Sequence, residues 1–146
     1  MSGVYIWLMA RKDFYHDCVR RALVKDGWTI THEPLILPFA DTRVEVDLGA
    51  QRAEQGHSAI IIAVEVKNFL AGRPVVSEYQ KSYGQYQLYR ELLNRFEPAR
   101  TLYLAISEYA YQTIFHDDVI RTIVRDSNMK LLVFDPLTET ITQWNP

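Results

Sequence analysis

The apolar positions of this chain follow two periods, one helical and one alternating. Tyr15, Cys18, Val19, Ala22 and Leu23 carry the 3/4 spacing of a helix with one buried face. With Asp13 as a capping residue and Gly27 as a stop, they predict a first helix over about 14–26. "WTITHE", Trp28 to Glu33, alternates as a strand until Pro34 interrupts it. "RVEVDLGA", Arg43 to Ala50, alternates more sharply and predicts Val44, Val46 and Leu48 on one face, with Arg43, Glu45 and Asp47 on the other. A polar loop leads into "IIIAVEVKNF", Ile60 to Phe69, and these last two strands are expected to pair as an antiparallel hairpin.

The longest helix is predicted from Pro74 to about Phe96, where Val76, Tyr79, Tyr83, Tyr86 and Leu93 lie near helical spacing and Pro98 ends the run. "TLYLAI", Thr101 to Ile106, reads as a short strand. Tyr109 to Phe115 and Val119 to Arg125 read as helices, and "LLVFD" and "TITQW" as a closing hairpin. The predicted order is α-β-β-β-α-β followed by helices and that hairpin. Three strands in succession argue for an α/β sandwich around a mixed sheet and against a doubly wound parallel fold.

Composition narrows this picture. At 146 residues and 48% hydrophobic, the chain is expected to be one domain with a sizeable core. A formal net charge of −2 means that any site for a polyanion is local. Cys18 is the only cysteine, which excludes an internal disulfide framework and fits a reducing cytoplasm; its place in an apolar helical stripe marks it as core packing. The run Val4 to Ala10 is too short to span a bilayer and has its positive charges behind it, so residues 1–11 are expected to form an extra arm or edge strand. No other segment approaches membrane-spanning length, and no membrane partner is expected.

Candidate chemistry lies at the end of the third strand. Residues i and i+2 of a strand share a face, so Glu65 and Lys67 point one way while Val64 and Val66 point the other. Hairpin pairing sets Asp47 beside Glu65. Two converging carboxylates repel unless a hard cation lies between them, and an oxygen site with open positions suits Mg²⁺ or Mn²⁺, with the Val66 carbonyl as a further ligand. Lys67 would then orient or deprotonate an attacking water and stabilise the transition state, which is the chemistry of phosphodiester hydrolysis. The alternative is plain: an Asp, a Glu and a Lys on a solvated hairpin form ion pairs worth no more than about 1 kcal/mol each.

Asp47 at the end of the second strand and Glu-x-Lys on the third, within this order of elements, resemble the PD-(D/E)XK nuclease superfamily and its restriction-endonuclease-like fold. The Pro-Asp of that name is absent, since Asp47 follows Val46. On the next helix "GQYQLYR" places Gln85 and Tyr89 at i and i+4, similar to the Q-x-x-x-Y motif of RecB-type members. The strings "KDFYHDCVRRALVKDGWTITHEPL", "VDLGA", "IAVEVKNF", "GQYQLYR", "LYLAI" and "LLVFDPLTETITQWNP" further resemble the XisH family, excision-controlling factors of the fdxN DNA element in cyanobacteria. The resemblance runs from about Lys12 to Pro146 and leaves out residues 1–11. It implies a nuclease-like fold, DNA as a partner in programmed rearrangement, a site-specific recombinase alongside, and a small XisI-type partner protein. A homo-oligomer stays open, and resemblance alone does not imply that DNA is cut. A non-catalytic assembly factor that keeps the nuclease fold is the alternative function.

Secondary residues have two readings each. His16, beside Asp17 on the first helix, is either an additional site residue or a surface histidine next to Arg20. Glu45 shares the face of Asp47 and is either an outer ligand or paired to a neighbouring strand. Gln85 either positions phosphate or water or is a buried amide bonded to backbone. Tyr79, Tyr83, Tyr86 and Tyr89 resemble a stacking platform, but their spacing favours packing onto the sheet. Arg11, Lys12, Arg20, Arg21 and Lys25 either contact phosphate or form a solvated face with the acids among them.

Overall fold

The stripe of Cys18, Val19, Ala22 and Leu23 does what its spacing predicts: all four side chains are fully buried on one face of helix α1, Gly3–Lys25. The computed structural model describes residues 3–69 and 74–146, with side chains from Phe14 onward. Because α1 begins at Gly3, Asp13 lies within the helix and is not its cap. The expected arm or edge strand over residues 1–11 is, from Gly3 on, continuous helix. Leu8, Met9, Ala10, Arg11 and Lys12 are strong helix formers with no Gly or Pro among them, so nothing local stops the helix there. Its C-terminal stop is as expected, with Gly27 at φ +90°.

Five strands follow before the second helix: β1 (Thr29–His32), β2 (Leu35–Phe39), β3 (Thr42–Val46), β4 (Leu48–Arg52) and β5 (Ile60–Val66). Helix α2 (Val75–Phe96) leads to β6 (Arg100–Ser107), helices α3 (Glu108–Thr113) and α4 (Asp118–Asp126), and the closing hairpin β7 (Leu131–Asp135) and β8 (Thr140–Trp144). Ser107 caps α3 by accepting from the Ala110 N–H, and Asp117 caps α4 by accepting from Val119 and Ile120. The main sheet has the order β1-β4-β5-β6-β7-β8. Its β5–β6 and β6–β7 pairs are parallel and the others antiparallel, giving the mixed sheet that three consecutive strands predict.

The run Arg43–Ala50 is not one strand. A bend at Asp47 splits it: β3 pairs with β2 in a separate two-stranded sheet, while β4 joins the main sheet between β1 and β5. The expected common face of Val44, Val46 and Leu48 is therefore broken. Val44 and Val46 pack with the α2 layer, and Leu48 packs with the α1 layer. Alternation reports faces only while a strand keeps its direction, and this chain changes sheets midway. Leu35–Phe39, just after Pro34 and outside the predicted strands, is the partner strand of β3. Gly49 lets β1 and β4 close up, since a Cβ there would lie 2.9 Å from His32 Nδ1.

The sheet is covered on both faces. One core joins α2 (Tyr86, Leu93) to Ala63, Leu102, Leu104 and Val133 and to Leu35 and Leu37 of the hairpin. The other joins α1 to Leu48, Ile62, Val64, Ala105, Leu132 and Phe134. Ala63 and Glu65 thus look toward the α2 layer, and Ile62 and Val64 toward α1. Tyr86 is locked in place by its hydroxyl, which donates to the Leu102 carbonyl at 3.0 Å and accepts from the Lys130 N–H at 2.9 Å. No helix among the described residues is long and apolar enough to cross a membrane.

Candidate functional site

The β4–β5 register, Leu48 opposite Val64 and Gly49 opposite Ala63, brings Asp47 opposite Glu65 at the end of the ladder. No regular strand pair continues there, and side chains take over the bonding. The Asp47 N–H donates to Glu65 Oε1 at 3.1 Å, and the Val66 N–H donates to Asp47 Oδ2 at 2.8 Å. Each acid is thus fixed by a backbone donor beside the other. Lys67, held in place by its N–H on the Ala105 carbonyl at 3.0 Å, brings its ammonium to 3.6 Å from Glu65 Oε2. The three residues singled out in sequence come together at the end of strands buried on both faces.

This strand end is largely buried. Glu65 is 7% exposed, and its carboxyl is pushed up to about 8, first by burial and then by the Asp47 charge, against the opposing pull of Lys67. Tyr89, from the inner face of α2, is pushed up to about 12 by burial and then by the charges of Glu65, Asp47 and Glu45. The Tyr89 hydroxyl and the carboxylates of Glu65 and Asp47 thus share one electrostatic neighbourhood, to which Glu45 adds the smallest share from the exposed face of β3. Gln85, one helical turn before Tyr89, has a buried Oε1 with no hydrogen-bond partner among the described residues. It is not the backbone-bonded amide of the alternative reading.

Other candidates lie apart. His16 bonds Glu33 at 3.0 Å, and Glu33 also pairs with Arg20, which in turn holds Asp17. Glu33 was not singled out, and no pattern in the sequence marks it. Glu45 is exposed and 3.5 Å from Arg43 on its own strand. Tyr79 and Tyr83 pack against the core beneath α2, as their spacing predicts, and Tyr86 is inside it. Arg21 pairs with Glu139, and Lys25 donates to the Thr138 carbonyl, so this part of α1 is tied to the closing hairpin. The side chains of Arg11 and Lys12 lie outside the described residues. Asn68, passed over although it adjoins Lys67, also has a buried Oδ1 without a partner among the described residues.

The donor set can be tested for a cation. Among the described residues no cluster of three His, Cys, Asp or Glu side chains is assembled for a metal, which does not suit an ion that takes an all-protein cage. Mg²⁺ and Mn²⁺ are different: one or two carboxylates suffice and the remaining positions stay open for water or phosphate. Asp47 and Glu65 both keep lone pairs beyond those used by the backbone. The Val66 carbonyl leaves its strand on the same side as the N–H that bonds Asp47. Two acids set so close that burial and the Asp47 charge raise the Glu65 carboxyl are a donor set that fits a small hard cation.

A mixed six-stranded sheet with helices on both faces, carrying an acid, an acid and an amine at one strand end, defines a small α/β protein with a paired-carboxylate site. The profile of the XisH protein family matches residues 9–142, and the chain belongs to that family. An fdxN element excision controlling factor protein from Anabaena variabilis is similar in structure, with a TM-score of 0.81 and 38% identity, over 92% of this chain and 99% of the other. An XisH family protein from Nostoc punctiforme aligns with a TM-score of 0.80 and 36% identity, over 91% of this chain and 99% of the other. No curated protein matches the chain.

Proposed function

We propose that this protein acts in the controlled excision of a DNA element through a metal-dependent phosphodiesterase site of the PD-(D/E)XK type. The observation that carries the proposal is the reciprocal lock of Asp47 and Glu65, with the Lys67 ammonium on the same buried carboxylate. The kinship with the Anabaena excision controlling factor supports the biological setting. The order of helix, strands, helix and strand supports the restriction-endonuclease-like reading.

Asp47, Glu65 and the Val66 carbonyl would hold Mg²⁺ or Mn²⁺, which supplies a more acidic water and neutralises charge developing at phosphorus. Lys67 would orient the attacking water by donating to it, or, as the neutral amine, take its proton, and in its ammonium form it would stabilise the charge of the pentacovalent state. Gln85, with its unpaired amide oxygen, orients the water or a phosphate-bound hydroxyl, and Tyr89 holds the floor against Glu65. Calorimetric titration with Mn²⁺ should show binding that Asp47→Ala and Glu65→Ala abolish. Nicking of plasmid, single-stranded or branched DNA should disappear in Lys67→Ala. Metal binding without any cleavage across those substrates rejects the hydrolase.

A second reading is a non-catalytic assembly factor that acts through an XisI-type partner or the recombinase. It is favoured by the carboxylates being satisfied from within, by two backbone N–H groups and Lys67, so that the site is a stable structural junction without a metal. Under this reading Lys67→Ala supports excision in cells and co-purifies with the partner as the wild type does.

A further inference from the structure

Helix α4 covers the sheet only in part. Its apolar side chains Ile120, Ile123 and Val124 are half-buried, and no residue of the helix is fully buried. The space left between α4, α3 and the ends of β7 and β8 is a cleft of about 540 Å³, within the range of about 300–1,000 Å³ that takes a small organic ligand. It is separate from the carboxylates. Leu131, on its wall, is in register with Leu104 and through it with Glu65, so two strand spacings, roughly 10 Å, lie between their backbones. The walls are set by hydrogen bonds of the protein itself. Arg90 donates to the Ser127 carbonyl at 2.7 Å and the Asn128 carbonyl at 3.1 Å, which fixes the turn out of α4, and the Asn145 N–H donates to the Leu131 carbonyl at 2.7 Å on the side of β8.

Three kinds of group line the cleft. Tyr111, Phe115, Val124, Met129 and Leu131 make its floor apolar, and Phe115 and Met129 belong to the core beneath α2. Asn128 and Asn145 add amides. Arg121 and Arg125, at i and i+4 on α4, bring two guanidinium groups to one flank, against the single carboxylate of Asp118. Arg125 holds only its chain neighbour Asp126, at 3.2 Å in an exposed and therefore weak pair. What marks these two arginines is their place: both border one cavity with an apolar floor.

That lining selects a ligand by chemistry. A carboxylate has two oxygens and is filled by one guanidinium fork, whereas a phosphate monoester has three and can take both. A hydrocarbon body would leave the amides of Asn128 and Asn145 unmet, and a bare phosphate would leave the floor uncovered. A heterocyclic base, flat and edged with donors and acceptors, satisfies both. We infer that the cleft is a binding site for a nucleoside monophosphate, with its phosphate on Arg121 and Arg125 and its base on the apolar floor beside Tyr111. This site does not depend on the phosphodiesterase reading.

The test is calorimetric titration of the wild type with AMP, GMP, CMP and UMP, and with the free nucleosides and inorganic phosphate as partial probes. At least one monophosphate should bind with a Kd below about 1 mM, and its nucleoside and phosphate about tenfold more weakly or worse. Arg121→Gln and Arg125→Gln should each weaken binding about tenfold, because each removes a charge-assisted bond. Thr122→Trp, which fills the cleft from an exposed position on its lining, should abolish it. Thermal midpoints of these variants without ligand should match the wild type, since all three positions are exposed. Arg95→Gln, at an exposed arginine on α2, should leave binding unchanged, and an equal loss there means general charge attraction and overturns the site. Failure of all four monophosphates to bind, or phosphate bound as tightly as the nucleotide, overturns it as well. Binding lost in a folded Asp47→Ala, Glu65→Ala double variant places the nucleotide at the carboxylates and overturns the cleft. Failure of Mn²⁺ binding or of DNA cleavage in the wild type bears on the carboxylate site alone.

Discussion

Glu65 is the residue on which the site turns. Its folded value near 8 lies above the ordinary 4.5, so between these the folded protein holds a proton that the unfolded chain has released. The sign follows: this group's contribution to stability is full below about pH 4.5 and is lost as pH rises toward about 8. In the presence of chelator, the wild-type thermal midpoint is expected to fall over that window by more than in Glu65→Gln, measured by calorimetry at fixed ionic strength. The glutamine keeps an acceptor for the Asp47 N–H and has no charge to desolvate, so it is also expected to be at least as stable as the wild type at pH 8 while losing Mn²⁺ binding. A steeper fall in the variant sinks this account. Cys18 tests burial at the same scale. Its thiol is fully buried and pushed up by burial, so it should resist a thiol reagent at pH 8 in the native protein and react at once in denaturant. The sequence identified Asp47, Glu65 and Lys67 because strand periodicity is local. It did not identify the Glu33 partnership with His16 and Arg20, because that contact joins α1 to the chain just beyond β1 and leaves no mark on spacing.

Among the elements, α2 and the β3–β4 bend set the geometry. Tyr86 ties α2 to the sheet by accepting from Lys130 and donating to Leu102, so Tyr86→Phe leaves a buried carbonyl and a buried N–H without their partner. A loss of about 1–3 kcal/mol in denaturant titration is expected, with the slope unchanged. The helix itself was legible over its whole length, since a 3/4 stripe between Pro74 and Pro98 leaves little choice. The bend was not. Arg43 to Ala50 alternates without a break, and the chain changes sheets inside that alternation because Val46 finds its partners under α2 and Leu48 finds them under α1. That bend places Asp47 where its N–H reaches Glu65 and its carboxylate reaches the Val66 N–H. A strand that kept one direction would leave Asp47 in a ladder, its backbone engaged with a neighbouring strand.

At the scale of the whole molecule, the site and the fold are one cooperative unit, since the acids sit at the ends of strands buried on both faces. A cation that binds the native state alone stabilises it by mass action, about 2.7 kcal/mol at a hundredfold excess over Kd. For a chain of 146 residues this is a rise of roughly 5–10 °C in the thermal midpoint. Scanning fluorimetry with Mn²⁺ should show that rise in the wild type and none in the Asp47→Ala, Glu65→Ala double variant. Phe134 is a control distant in character: fully buried in the α1 layer, its truncation to alanine is expected to cost about 3–5 kcal/mol and leave Mn²⁺ binding intact wherever the protein folds.

Local patterns of the chain by themselves determined the helices from about Phe14 on, the strands other than Leu35–Phe39, the mixed character of the sheet and the choice of the three charged residues as candidates, because each depends on periods of two or 3.6 residues and on caps and stops close at hand. The tertiary structure alone decided that those charges meet at one strand end and that the second predicted strand is two. It also paired Glu33 with His16 and Arg20, and left Arg43 with only a weak exposed partner. Those outcomes depend on which layers the sheet separates and on what remains buried at a strand end, and burial is a property of the packed molecule, not of any window along the chain.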